Sequence, residues 1–280
     1  MTARLLLAST LLAVAAAGAD FETHWRDGQA EVSGYRLTVN RYGQERRGYA
    51  VAIYVTEPFS ETRRVKSEPP GADSVEALKL NLIRRFQTGI YDYHTMVSVF
   101  VRARDFSPLK TTFSSAEWCG HVFEEFLFFP REITGQYHSY FDGESGTVKL
   151  DWPAGGVTED SLWIWLRGLR GEFLAPGETR TVPFLPGAYY RRLTHRPPGW
   201  TRADISRSTR EPTLYTVRTA DGRTGQFWIE PMYPHRIRRW ELAPDVAAEL
   251  TGSLRLPYWQ QNRKGDEALL QKLGIRPTLE

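Results

Sequence analysis

The strongest constraint on the fold is a series of runs that alternate, or stay apolar on both sides, between turns that contain glycine. Tyr49 to Thr56 is apolar on one face (Tyr49, Val51, Ile53, Val55) and small or aromatic on the other (Ala50, Ala52, Tyr54). Strand side chains alternate between two faces, so this run reads as a strand buried on both sides. Val148, Leu150 and Trp152 alternate strictly with Thr147, Lys149 and Asp151, the pattern of an antiparallel strand with one wet face. Its partner is Ile133 to Phe141, and Asp142-Gly143-Glu144-Ser145-Gly146 between them predicts a hairpin turn.

Other segments follow the same logic. Ala30 to Asn40 pairs with Tyr49 to Thr56 across the polar stretch Arg41 to Arg47, which contains Gly43. Ile90 to Ala103 places Tyr91, Tyr93, Val97, Val99 and Val101 on one face. Ser74 to Gln87 fits two periods: Leu78, Leu80 and Leu82 alternate, while Leu78, Leu82 and Phe86 are spaced as on a helix; we read a strand. Leu214 to Thr219 and Gln226 to Glu230 flank an Asp221-Gly222 turn. Proline marks Glu57 to Asp73 as a loop and Pro176 to Pro198 as loop with a short strand.

Thr158, followed by Glu159 and Asp160, reads as the cap and acidic first turn of a short helix ending near Leu169. Asp266 caps a turn bearing Leu269, Leu270 and Leu273, which Gly274 stops. Short helices among many hairpins predict a mainly β protein. Its form is a large curved antiparallel sheet or open β-barrel, an architecture that exposes few strand edges.

Residues 1–19 read as a cleavable secretion signal. Arg4 supplies the charge, Leu5 to Ala16 the apolar run, and Ala17-Gly18-Ala19 the small-x-small cleavage pattern. The run is short of the roughly 20 residues that cross a bilayer. The expectation is an exported protein, periplasmic or extracellular, whose residues 20–280 form a single β-rich domain. A hinge, if the chain has one, falls at 152–158. No later segment is long and apolar enough to span a membrane.

With 41% hydrophobic and 13% aromatic residues the chain can bury a sizeable core. A net charge of +3 is too small to imply nucleic acid as a partner. Cys119 is the only cysteine, so no intramolecular disulfide forms, and its ordinary role is that of a small buried hydrophobe.

Chemistry is sparsely signalled. Glu117, Cys119 and His121 lie within five residues and suggest a thiol nucleophile with an imidazole base. On a strand they share one face, with Cys and His roughly 6–7 Å apart, beyond direct hydrogen-bond reach. Asp92 and His94 share a strand face but lack a third ligand, so no metal and no other cofactor is expected. There is no nucleophile elbow, phosphate loop or dinucleotide fingerprint. Tyr91, Tyr93, Trp118 and Trp152 are the candidates for an aromatic ligand-binding face.

The stretches Arg41-Tyr42-Gly43, Val55-Thr56-Glu57, Leu78 to Asn81, Thr88 to Tyr93 and Phe113 to Phe123 resemble an uncharacterised family of exported bacterial proteins. So do Leu256-Pro257-Tyr258-Trp259 and Gly265-Asp266-Glu267. Members sometimes carry the label "septum formation inhibitor Maf". This chain does not support that activity: the echo Leu7-Ala8-Ser9-Thr10 lies inside the leader, and the Ser-Pro-Arg-Arg that should follow is missing. Trp228-Ile229-Glu230 and its hairpin are also similar to exported half-barrels with a lipoprotein-carrier-like sheet, a likeness of fold alone.

Export, abundant aromatics and the lack of a catalytic motif together point to a non-enzymatic envelope protein. It would hold a lipid or other amphiphile, or an envelope protein, against a concave aromatic face. The alternatives are an exported hydrolase or transferase with Cys119 as nucleophile, and a structural or assembly factor of the envelope.

Overall fold

The computed structural model describes residues 20–242 and 246–276; the expected leader lies outside them. The described residues form sixteen strands in one sheet. They are β1 (Ala30–Arg41), β2 (Gln44–Ser60), β3 (Val65–Lys66), β4 (Ser74–Thr88), β5 (Tyr91–Arg102), β6 (Pro108–Glu117), β7 (Gly120–Phe128), β8 (Glu132–Ser139), β9 (Gly146–Asp151), β10 (Val157–Thr158), β11 (Thr179–Leu185), β12 (Thr201–Arg207), β13 (Thr213–Thr219), β14 (Thr224–Ile229), β15 (Ile237–Leu242) and β16 (Val246–Leu256). Four short helices accompany them: α1 (residues 20–25), α2 (Leu162–Trp165), α3 (Ala188–Thr194) and α4 (Leu269–Lys272). None of the described helices is long and apolar enough to cross a membrane.

The strand path runs β10-β11-β12-β13-β14-β15-β16-β1-β2-β4-β5-β6-β7-β8-β9, with β3 beside β2. Every step is antiparallel except β10 to β11. The chain therefore forms an open barrel whose two edges, β9 and β10, are joined by residues 152–156 alone. β16 pairs with β1, so the strands on either side of that link belong to one sheet.

Alternation decides which side chains face in. On β4, Leu78, Leu80, Leu82 and Phe86 enter the interior core, settling the double period of that run in favour of the strand. On β2, Ala50, Ala52 and Tyr54 face inward while Val51, Ile53 and Val55 join a second cluster on the outer wall with Leu273 and Ile275. That strand is thus covered on both sides, as its composition predicts.

The concave face is not free for a ligand. It is filled by the chain's own Phe21 and Trp25 of α1, by Leu162, Trp163 and Ile164 of α2, and by Leu166, Leu169 and Leu174 beyond it. Trp163 meets Phe227 and Trp240 edge to face at 5.1 and 5.7 Å. The expected aromatic hollow is therefore a packed interior.

Three other local expectations are corrected. The run through Pro58 is not loop, because β2 continues to Ser60 against β4. The proline-rich stretch after 176 contains helix α3 as well as β11. The acids after Thr158 do not serve their own helix, which is a 3-10 turn (Glu159–Ser161) and one α turn rather than a helix to Leu169. The Thr158 hydroxyl pairs with that of Ser161 at 2.6 Å. Glu159 and Asp160 instead accept from the backbone N–H groups of Gly187 and Ala188, at 2.8 and 3.0 Å, at the start of α3.

Candidate functional site

Antiparallel alternation brings the β1–β2, β4–β5, β6–β7 and β8–β9 turns to one end of the barrel. Helix α3 lies across this end. Its Arg191 and Arg192 are buried and reach the inward carboxylates of Glu124 on β7 and Glu117 on β6. Tyr190 donates its hydroxyl to Asp221 in the β13–β14 turn at 2.9 Å. His195, just past α3 and left-handed at φ 53°, sets its Nδ1 2.6 Å from Glu144 in the β8–β9 connection. Helix α3 thus ties the two halves of the sheet together through charge.

Between α3 and β7–β8 is a cleft of about 180 Å³. Its walls are amphiphilic: Phe113, Val122, Pro197 and Pro198 on one hand, Arg191, Arg192, Arg196, Glu124, Glu144, His138 and His195 on the other. All three arginines are ion-paired, Arg191 with Glu124, Arg192 with Glu117 and Arg196 with Asp221. Arg192 gives Nη2 to Glu117 at 2.5 Å, while its buried Nε and Nη1 have no hydrogen-bond partner among the described residues; the same holds for Nε of Arg191. Buried donors left unpaired are costly, and they favour any acceptor that enters. Burial pushes the Asp160 carboxyl up to about 6, against the opposing pull of Arg191 and of the Ala188 N–H.

The sequence candidates fall into two sets. Glu117, Cys119 and His121 do not share a strand face, because the chain reverses at Trp118-Cys119 in a two-residue hairpin turn where Glu117 pairs with Gly120. Glu117 is buried and engaged by Arg192, while Cys119 and His121 are exposed. The thiol is therefore not the buried hydrophobe that a lone cysteine suggests.

The aromatic candidates are partly brought together. Tyr91 lies 5.7 Å from Tyr93 and 6.4 Å from Trp118, ring to ring. Tyr42 joins them, its hydroxyl 2.9 Å from that of Tyr93 and 3.4 Å from that of Tyr91. Tyr93 itself is buried and stacks on Phe86. Trp152 is elsewhere, at the barrel seam, edge to face with Trp200 at 5.4 Å and Phe128 at 5.6 Å. Asp92 accepts from Arg85 at 3.0 Å, and no group of three or more metal-ligating side chains occurs among the described residues.

The basic cluster Arg191, Arg192, His195 and Arg196 is visible in the sequence as a candidate for an acidic lipid head group or as a solvated strand edge, but the helix that carries the first two and their burial against Glu117 and Glu124 are not. The available signal was paired charge: Arg191-Arg192 in one segment and alternating inward Glu117 and Glu124 in another, each expensive to bury alone.

A second, larger groove of about 540 Å³ lies on the outer wall between β1, β2 and β16 and the segment 258–273. Its floor is Val32, Val51, Ile53, Leu254 and Leu256, and its rim carries Arg263 and Lys264.

No family model and no curated protein matches this chain. A solved structure described as a beta-barrel-like protein of a domain of unknown function, DUF1849, from Brucella abortus, is similar at 9% identity and a TM-score of 0.49. The match covers 81% of this chain and 98% of that one.

Proposed function

We propose that this chain is an exported, non-enzymatic envelope protein that binds an amphiphile with an acidic head in the α3 cleft. Export is supported by the leader pattern of residues 1–19. The observation that carries the ligand reading is Arg192. It is fixed by Glu117 yet has two buried donors without a partner, in a cleft walled partly by Phe113, Val122 and two prolines. A carboxylate or phosphate head accepts two donors from a guanidinium at once, while an alkyl chain suits the apolar wall. A Cys119 nucleophile would lack the neighbouring groups it needs, since Glu117 is engaged by Arg192 and His121 is exposed.

The test is titration calorimetry with dodecyl phosphate and with dodecanol as the headless control. The phosphate binds and the alcohol does not. Glu117→Gln combined with Arg192→Met removes the ion pair without stranding a charge, and it weakens phosphate binding about tenfold or more, the size of a lost charge-assisted contact. Unchanged affinity in that variant rejects the cleft. If Leu254→Glu abolishes binding instead, the ligand occupies the outer groove and the cleft reading is wrong.

A further inference from the structure

The same end of the barrel carries an aromatic ridge. Among the described residues eight large apolar side chains are exposed, and four of them sit on the four neighbouring turns of this end: Tyr42 (59% exposed), Ile90 (80%), Trp118 (67%) and Tyr140 (43%). Three of the four turns are linked by contacts, and Ile90 stands beside them on the β4–β5 turn. Tyr42 and Tyr91 touch through their hydroxyls, Tyr91 meets Trp118, and Tyr140 packs on Phe141 at 4.1 Å, which meets His195 edge to face at 4.8 Å on the lip of the cleft. Gly120 lets Tyr140 settle against the next turn, since a Cβ there would lie 2.9 Å from the Tyr140 Cβ.

We propose that this ridge docks the protein onto a phospholipid bilayer, the four turns entering the headgroup layer together. Tyrosine and tryptophan, each with an apolar body and a polar tip, favour that depth. Ile90 is the most exposed of the four, and its side chain has no polar atom to desolvate. The first turn adds charge complementarity to anionic lipid: Arg41, Arg46 and Arg47 stand against Glu45 alone. The β8–β9 connection instead carries Asp142 and Glu144, so apolar insertion rather than charge supplies most of the affinity. Turns that project singly suit a fluid, deformable partner better than a rigid protein surface. The proposal goes beyond the cleft reading. It names the bilayer as the place from which the amphiphile would come, and it stands on different residues.

Cys119 provides the probe, since it is the only cysteine and is exposed at the Trp118 turn. The purified protein, labelled there with an environment-sensitive nitrobenzoxadiazole dye, is mixed with vesicles of phosphatidylethanolamine and phosphatidylglycerol. The expected result is co-sedimentation with a blue-shifted, brighter dye, only modestly weakened by salt. Ile90→Ser with Trp118→Ser lowers vesicle partitioning by about tenfold or more, as expected for withdrawing two large apolar side chains. Met232→Ser, exposed in the β14–β15 connection at the far end of the barrel, leaves it unchanged. Failure to sediment, sedimentation without a dye shift, or wild-type partitioning of the double variant each overturns the proposal. The Glu117→Gln/Arg192→Met variant separates the two readings: it keeps vesicle binding while losing dodecyl phosphate if both hold. If it keeps the phosphate, only the cleft falls.

Discussion

Two buried arginines show how differently one residue type can be held in this interior. Arg167 is 1% exposed and gives Nη2 to Glu31 at 2.8 Å, with Nε and Nη2 also reaching the Pro234 carbonyl. Arg84 is also buried, but no described carboxylate pairs with it. Its guanidinium centre lies instead 4.6, 5.3 and 5.8 Å from the rings of Tyr189, Trp240 and Trp163, and burial lowers its pKa. Rings attract a desolvated cation by about 2 kcal/mol each, which roughly offsets a desolvation cost of several kcal/mol without exceeding what a well-packed apolar side chain would supply. Arg84→Met should therefore be neutral or stabilising, whereas Glu31→Gln strands Arg167 and should cost about 3 kcal/mol. Urea unfolding of both variants checks this, and a larger loss from Arg84→Met than from Glu31→Gln would refute the account. The same scale shows what sequence proximity conceals. Glu117 stands two residues from Cys119, yet its partner is Arg192, 75 positions away.

Among elements, strands with strict alternation were legible and α3 was not. The inward set Leu78, Leu80, Leu82 on β4, and Tyr91, Tyr93, Val97, Val99, Val101 on β5, follow from period two alone. Helix α3 has seven residues, too few for a helical period to emerge, and prolines at 183, 186, 197 and 198 flank it. What holds it is tertiary: carboxylates of the distant Glu159 and Asp160 accept from its first backbone N–H groups. That anchoring carries a pH signature. The Asp160 carboxyl is raised from 3.8 to about 6, chiefly by burial, so the folded protein binds its proton more tightly than the unfolded chain. The stabilisation is complete below about pH 4 and is lost as pH rises through 6. Asp160→Asn keeps an acceptor for Ala188 and has no proton to lose. Relative to wild type it should gain about 1–2 kcal/mol between pH 4 and pH 7, a figure discounted for the residual exposure of the carboxyl. Parallel stability–pH curves for the two proteins would show that Asp160 is not the group responsible.

At the scale of the whole molecule, the barrel is closed by side chains where backbone pairing stops. β9 and β10 do not pair, but the indole N–H of Trp200 donates to the carbonyl of Asp151 at 2.9 Å, joining the end of β9 to the start of β12. Trp152 fills the gap between Trp200 and Phe128, beside Ile133, Val148 and Leu185. Open sheet edges invite pairing with other chains, and this seam covers them without a ladder. The hairpins on either side were readable from their turns. The seam was not, because it depends on the tilt accumulated over fifteen strands, which no local pattern encodes. Opening it should be local before it is global: the interior core is filled by α1, α2 and the residues after α2, none of which rests on Trp200 alone. Trp200→Phe removes the hydrogen bond but keeps most of the packing and should cost about 1 kcal/mol. Trp200→Ala removes both and should cost about 3 kcal/mol or more. It should also expose residues 152–156 to limited proteolysis under conditions where the wild-type barrel resists. Cleavage elsewhere first, with 152–156 still protected, would mean that the two edges are held by something other than the Trp152–Trp200 contact.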